Sequence, residues 1–270
     1  MKPYKIIIAV IFLLLVSFWI LHNFNKPKKL LKYKTIKPAS VGVRGRIAIV
    51  LDDWGYNTNN LSAFSDLKTP ITISILPNLP YSKQVAQAAK RQGHQLILHL
   101  PLESKGNEHA EKDTLYCNMN EGEITEKLKQ MLNSVPGISG ANNHQGSKAT
   151  EDTRMMSIVL SELKRERLFF LDSFSTNKSV CSKIAKAIGI RYAKRDIFMD
   201  IPNSKLKNEA LRAYIRGQLD KLYIIAIKKG YAIGIGHDRK TTLDVLKDAI
   251  PQLENRGIKF VFLSELEKYQ

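Results

Sequence analysis

The chain has 270 residues and a formal net charge of +17, from 42 Lys and Arg against 25 Asp and Glu. The first 46 residues carry ten of those basic side chains and no acid, so most of the excess flanks the N-terminus and the remaining chain is only mildly basic. Aromatics are not interleaved with its basic residues, which argues against a nucleic-acid surface, and two cysteines, Cys117 and Cys181, are too few for a disulfide framework.

The first element is the uncharged run IIIAVIFLLLVSFWIL, Ile6 to Leu21. It is slightly shorter than the roughly 20 residues of a spanning helix, and the flanking residues can extend it. No A-x-A cleavage pattern follows, so residues 1–22 read as an uncleaved membrane anchor. Residues 23–45, Lys- and Pro-containing, read as a linker. Two lysines precede the run and five follow it closely. That charge bias favours a cytoplasmic domain, whereas a short N-terminal anchor with a positive flank acts in export. The flanks leave both orientations open.

From Arg46 onward, apolar runs alternate with helical patterns. The expected strands are IAIVLD (47–52), ITISIL (71–76), QLILHL (95–100), GISGAN (137–142), LFFLDS (168–173), IRYAKR (190–195), YAIGIG (231–236) and KFVFLS (259–264). Helix patterns such as YSKQVAQAAKRQG and KSVCSKIAKAIG lie between them, several ending in a Gly suited to a C-cap. This alternation predicts parallel βα units. Their number predicts a closed or nearly closed barrel over residues 46–270, with working residues at the C-terminal strand ends.

Those ends are polar. The first strand ends in Asp52-Asp53, the third runs into His99 and Glu103, the fourth into Asn142, Asn143, His144 and Ser147. The fifth ends in Asp172, near the sixth lie Arg195, Asp196 and Asp200, and the seventh ends in His237 and Asp238. Two adjacent carboxylates repel and lose hydration if buried, so a cation is the expected compensation. Asp and His donors suit zinc or a similar divalent ion. One Asp and two His from different strands can make three facial ligands. Because neighbouring strand residues point to opposite sides, one of Asp52 and Asp53 is expected to bind the ion and the other to stay near as a base. Asp172 can equally cap the helix that follows it. His94 lies at the opposite strand end and reads as structural. Trp54 and Tyr56 can stack on a ligand ring or simply pack the barrel mouth.

The segments IAIVLDDWGYN, PITISILPN, QLILHLPLE, ANNHQGS, FFLDSFS, KRDIFMD and IGIGHDRKTTL, spread over residues 46–270, resemble the divergent polysaccharide deacetylase family, relatives of the NodB-like carbohydrate esterases. The resemblance implies an α/β fold, a distorted (β/α)7-type barrel, here behind an N-terminal transmembrane helix, and an extracytoplasmic location. It implies Asp52 as general base, Asp53, His99 and His144 as ligands of a divalent metal, zinc above others, and His237 as general acid. Asp172 and Arg195 would orient the base. The implied partners are a polysaccharide or amino-sugar substrate and the membrane, with no nucleic acid. One departure stands out: better-known NodB-like enzymes take both metal histidines from one H-x-x-x-H segment, whereas Glu103 stands four residues after His99. Two functions are therefore expected to compete: a metal-dependent N-acetyl hydrolase, and a membrane-tethered carbohydrate-binding module without turnover.

Overall fold

A computed structural model describes residues 42–106, 109–266 and 268–269, together with Trp19. The expected anchor and most of the linker lie outside the described residues. Among the described residues no helix is long and apolar enough to cross a membrane. The chain divides into two units, 1–40 and 41–270, and the second carries the sheet and its helices.

The strands are β1 (Gly45–Trp54), β2 (Thr72–Ile75), β3 (Gln95–Leu102), β4 (Gly140–Gln145), β5 (Phe169–Asp172), β6 (Arg191–Lys194), β7 (Ile197–Phe198), β8 (Tyr231–His237), β9 (Ile258–Phe260) and β10 (Lys268–Tyr269). Their order in one sheet is β10-β6-β5-β4-β3-β2-β1-β8-β7, with β9 paired to β1. The helices are α1 (Ala63–Asp66), α2 (Ser82–Arg91), α3 (Glu121–Ser134), α4 (Thr153–Arg165), α5 (Cys181–Ile188), α6 (Asn208–Lys229) and α7 (Lys240–Asn255). The parallel pairing of β1, β2, β3, β4, β5 and β8 fits the strand–helix alternation of the sequence.

The sheet is closed by a single stretch of chain. Residues 191–194 pair with β5, while residues 197–198 pair with β8. Between them Arg195 N–H still donates to Asp172 O, and Asp196 N–H already donates to Ile233 O. One bent segment thus serves both edges, which gives seven strand positions and accounts for the distortion of the barrel. The expected eighth strand, 259–264, is only partly extended. Only its first residues belong to β9; Leu263–Glu265 form a 3-10 turn. Val261, Leu263 and Leu266 fold inward and fill the N-terminal end of the lumen.

Strand alternation sorts the apolar residues into two cores. Ala48 and Val50 face inward with Ile97, Phe169, Leu171, Ile233 and Ile235. Ile47, Ile49 and Leu51 face outward and pack beneath the helices. A strand apolar on both faces is what this burial requires. The lumen is tight: a Cβ on Gly140 would come 2.5 Å from the Phe169 ring. Local signals set the helix ends. Asn120 and Glu123 form a capping box that opens α3, and Gly189 and Gly230 close α5 and α6 in the left-handed conformation.

Candidate active site

The site grows from an irregularity in β1. The pairing register with β2 shifts between Leu51 and Trp54, a β-bulge. Within it Asp53 adopts φ +66°, a left-handed conformation that Asp tolerates better than most residues. Bulges re-aim side chains. Here the bulge breaks the alternation expected of neighbouring strand residues, so both Asp52 and Asp53 address the barrel interior. Trp54 then turns outward, fully buried against Phe64. It cannot stack on a sugar. Tyr56 remains 47% exposed, and its hydroxyl donates to Glu111.

Asp53, His99 and His144 come together, the set that the family resemblance implies. Asp53 Oδ1 lies 3.1 Å from His99 Nε2 and 3.1 Å from His144 Nδ1, and those two nitrogens are 3.1 Å apart. A divalent ion sits about 2.0–2.2 Å from such donors, so the three atoms are spaced to touch one ion together. They are the group of metal-capable side chains found among the described residues. The electrostatics favour a cation. Burial works to raise the Asp53 carboxyl, but hydrogen bonds with His144 and His99 outweigh it and hold it below the ordinary carboxylate range. Burial likewise opposes a charge on His99, yet Asp52 and Asp53 push it up to about 9. Without an ion, the pocket gathers a proton instead.

Asp52 is 2% exposed. Asn142 Nδ2 donates to both its oxygens, at 2.9 and 3.1 Å. Burial drives its carboxyl up, against the opposing pull of His99 and His237. His237 stands directly across from Asp52 in the β1–β8 register. Its Nδ1 lies 2.7 Å from Asp200 Oδ1, and its backbone N–H donates to Asp200 Oδ2 at 2.9 Å. Thr242 Oγ donates to the same Oδ2 at 2.6 Å. Burial lowers the affinity of His237 for a proton, but fully buried Asp200 more than restores it, so the net shift is upward.

Asp172 and Arg195, expected to orient the base, make their described hydrogen bonds elsewhere. Asp172 follows Leu171 on β5 and so faces outward. Its carboxylate accepts from Ser179 Oγ at 2.7 Å, Phe174 N–H at 2.7 Å and Tyr192 OH at 3.2 Å. It holds the start of the next connection but does not cap the helix that follows, whose N-cap is Val180 without a side-chain bond, so neither expected role matches these contacts. Arg195 donates to the carbonyl oxygens of Ser173 and Phe174, and its guanidinium lies 3.6 Å over the Phe198 ring. Among the described hydrogen bonds and ion pairs neither reaches Asp52, whose side-chain partners are Asn142 and, at 3.8 Å, His99 Nε2. Glu103 is buried, pairs with Lys148 at 2.7 Å and accepts the Cys117 N–H at 2.8 Å, and it is not one of the three side chains of the candidate metal group.

Three site residues had no assigned role in the sequence. Asn142 could have been found, since it sits two residues before His144 and shares its face. Asp200 lies 37 residues from His237, and only barrel closure brings them together. Glu111, 4.0 Å from His144 Nε2, lies in a connection without periodicity.

Residues 49–267 match the family model described as divergent polysaccharide deacetylase. The chain is 33% identical over 209 residues to the uncharacterized protein YibQ of Escherichia coli K12, a match that spans 77% of this chain and 63% of that relative. A crystal structure of an uncharacterized Agrobacterium tumefaciens protein superposes with a TM-score of 0.77 at 26% identity, covering 85% of this chain and 92% of that one. A variant of a CE4 family pseudoenzyme with restored enzymatic activity superposes at 0.50 with 13% identity, over 84% and 68% of the two chains, a likeness of fold alone. The chain belongs to the divergent polysaccharide deacetylase family.

Proposed function

We propose that the protein is a metal-dependent hydrolase that removes N-acetyl groups from a cell-envelope polysaccharide, tethered by its N-terminal segment with the barrel outside the cytoplasm. The observation that carries this reading is one of placement. Asp52 and His237 are register partners on β1 and β8, and the residue after Asp52 belongs to the triangle of ligand atoms.

Asp53, His99 and His144 would hold the ion, and an O/N/N donor set suits zinc. When bound, such an ion polarises the acetyl carbonyl as a Lewis acid and lowers the pKa of water. The protein's own groups do the rest. Asp52, fixed by the Asn142 amide, takes a proton from the attacking water. His237 keeps Nδ1 on Asp200, which leaves Nε2 to deliver a proton to the departing sugar nitrogen. The C–N bond breaks, and acetate and a free amine result.

The test is metal analysis of the purified full-length chain, followed by acetate release from N-acetylated chitooligosaccharides and peptidoglycan. Release that disappears in Asp52→Asn supports the reading. Stoichiometric metal without release from any N-acetylated polymer would leave the tethered binding module in its place.

A further inference from the structure

Asn142 is fully buried, and its amide is saturated. Nδ2 donates to Asp52 and, at 3.2 Å, to Ser173 Oγ. Oδ1 accepts from Ser74 Oγ at 2.6 Å and faces His99 Nδ1 at 2.9 Å. A side-chain amide offers two donors and one oxygen with two lone pairs, and all are engaged here. Reversing the amide would set its oxygen against the Asp52 carboxylate, so Asp52 fixes which way it points. The consequence passes to His99. An amide oxygen cannot donate, so Nδ1 of His99 must carry the hydrogen. In the neutral ring, Nε2 then keeps its lone pair, and Nε2 is the atom that faces Asp53 and His144.

The strands explain why one side chain reaches both groups. Asn142 is the β4 register partner of His99 on β3, which sets the short contact. Its other end extends through the lumen to Asp52 on β1. Ser74 on β2 completes the span.

We propose that Asn142 is a positioning residue that couples the two halves of the centre: its oxygen sets the His99 tautomer that offers Nε2 to a divalent cation, and its nitrogen holds Asp52 in place for proton transfer. The proposal rests on the function proposed above. A merely space-filling asparagine would do neither.

Two substitutions separate the ends of the amide. Asn142→Asp keeps an oxygen toward His99 and replaces the neutral amide donor toward Asp52 with a second carboxyl, which competes with Asp52 for the proton it must accept. Asn142→Ala removes both. Two readouts apply to the full-length chain: zinc affinity by chelator competition, and long-range 1H–15N correlation of the His99 ring, recorded above pH 9 without metal. In the wild type the ring should show Nδ1–H. In Asn142→Ala that tautomer should be lost and zinc affinity should fall about 10–100-fold, the range for removing the outer partner of a ligand histidine. Asn142→Asp should keep both the tautomer and the zinc while losing kcat, with KM unchanged. An Nε2–H tautomer in the wild type would overturn the proposal, whether or not any variant folds. So would unchanged zinc affinity and tautomer in a folded Asn142→Ala. A wild type that binds no zinc would remove the proposed function, and the metal-free tautomer would still judge Asn142.

Discussion

Asp200 holds His237 at two points: Oδ1 lies 2.7 Å from ring Nδ1, and Oδ2 accepts the backbone N–H of the same residue at 2.9 Å. Ring and backbone are clamped by one carboxylate that is itself fully buried. The clamp raises the pKa of His237 against the effect of burial. A general acid must be protonated to act, so the alkaline limb of the rate profile should follow this group. Asp200→Asn should move that limb to lower pH and reduce kcat. The check is the pH dependence of acetate release for both proteins; an unmoved limb would separate His237 from the proton-donor role.

The candidate metal ligands predict a proton linkage. His99 is pushed up to about 9 by Asp52 and Asp53, against burial. Below that pH a cation must displace the His99 proton, because only the free nitrogen is a ligand. Zinc affinity should therefore rise about tenfold per pH unit up to about pH 9 and then level off. Zinc titrations in chelator buffers at several pH values measure this, and a flat profile between about pH 7 and 8.5 contradicts it. The same shift acts on stability without metal. The folded-state pKa lies above the ordinary 6.5, so the contribution is complete below about pH 6.5 and is lost as pH rises through about 9. Thermal unfolding of the metal-free chain should show that loss.

Two neighbouring carboxylates should fail differently. Asp52→Asn keeps the three ligand atoms and should bind zinc while losing about 10²–10⁴-fold in kcat, the range for removing a general base. Asp53→Asn removes a ligand and should lose zinc affinity first. Zinc content and single-turnover rates of the two variants, taken side by side, decide the assignment. Equal zinc loss in both would mean that Asp52 also ligates the ion.

Packing inside the barrel gives a prediction independent of chemistry. A Cβ at Gly140 would come 2.5 Å from the ring of fully buried Phe169. Gly140→Ala should destabilise the domain by about 1–3 kcal/mol, as overpacked cores do. That corresponds to a fall in Tm of roughly 2–12 °C for a domain of this size. Differential scanning calorimetry provides the measurement, and an unchanged Tm would show that Phe169 has room to move.

The three side chains of the candidate metal centre were legible because chemistry and position agreed. Asp53, His99 and His144 are rare residue types at the ends of apolar runs, and parallel βα units bring such ends together. The pointing of individual side chains was less legible. Simple alternation assigns Asp52 and Asp53 to opposite faces, and a bulge with a left-handed Asp53 reverses that. Alternation does apply on β5, where it sends Asp172 outward, although the family resemblance draws it toward the base. Asp200 could not be read at all, since its partner depends on where a bent segment crosses between strands. The last predicted strand misled for a related reason: its apolar residues plug the lumen instead of extending the sheet.

The stretch from Arg191 to Phe198 belongs to two hydrogen-bond ladders, and with the proposed roles this predicts an order of assembly. The side chains that would grip the cation lie between Asp53 and His144, on strands that pair with near neighbours. The proposed proton donor, His237, leans on Asp200, which is carried in by the seam itself. A folding chain with β1 to β5 already zipped would thus own a metal site and no acid. Pulsed hydrogen exchange should find the Asp196 and Met199 amides, which bridge to β8, among the last to gain protection.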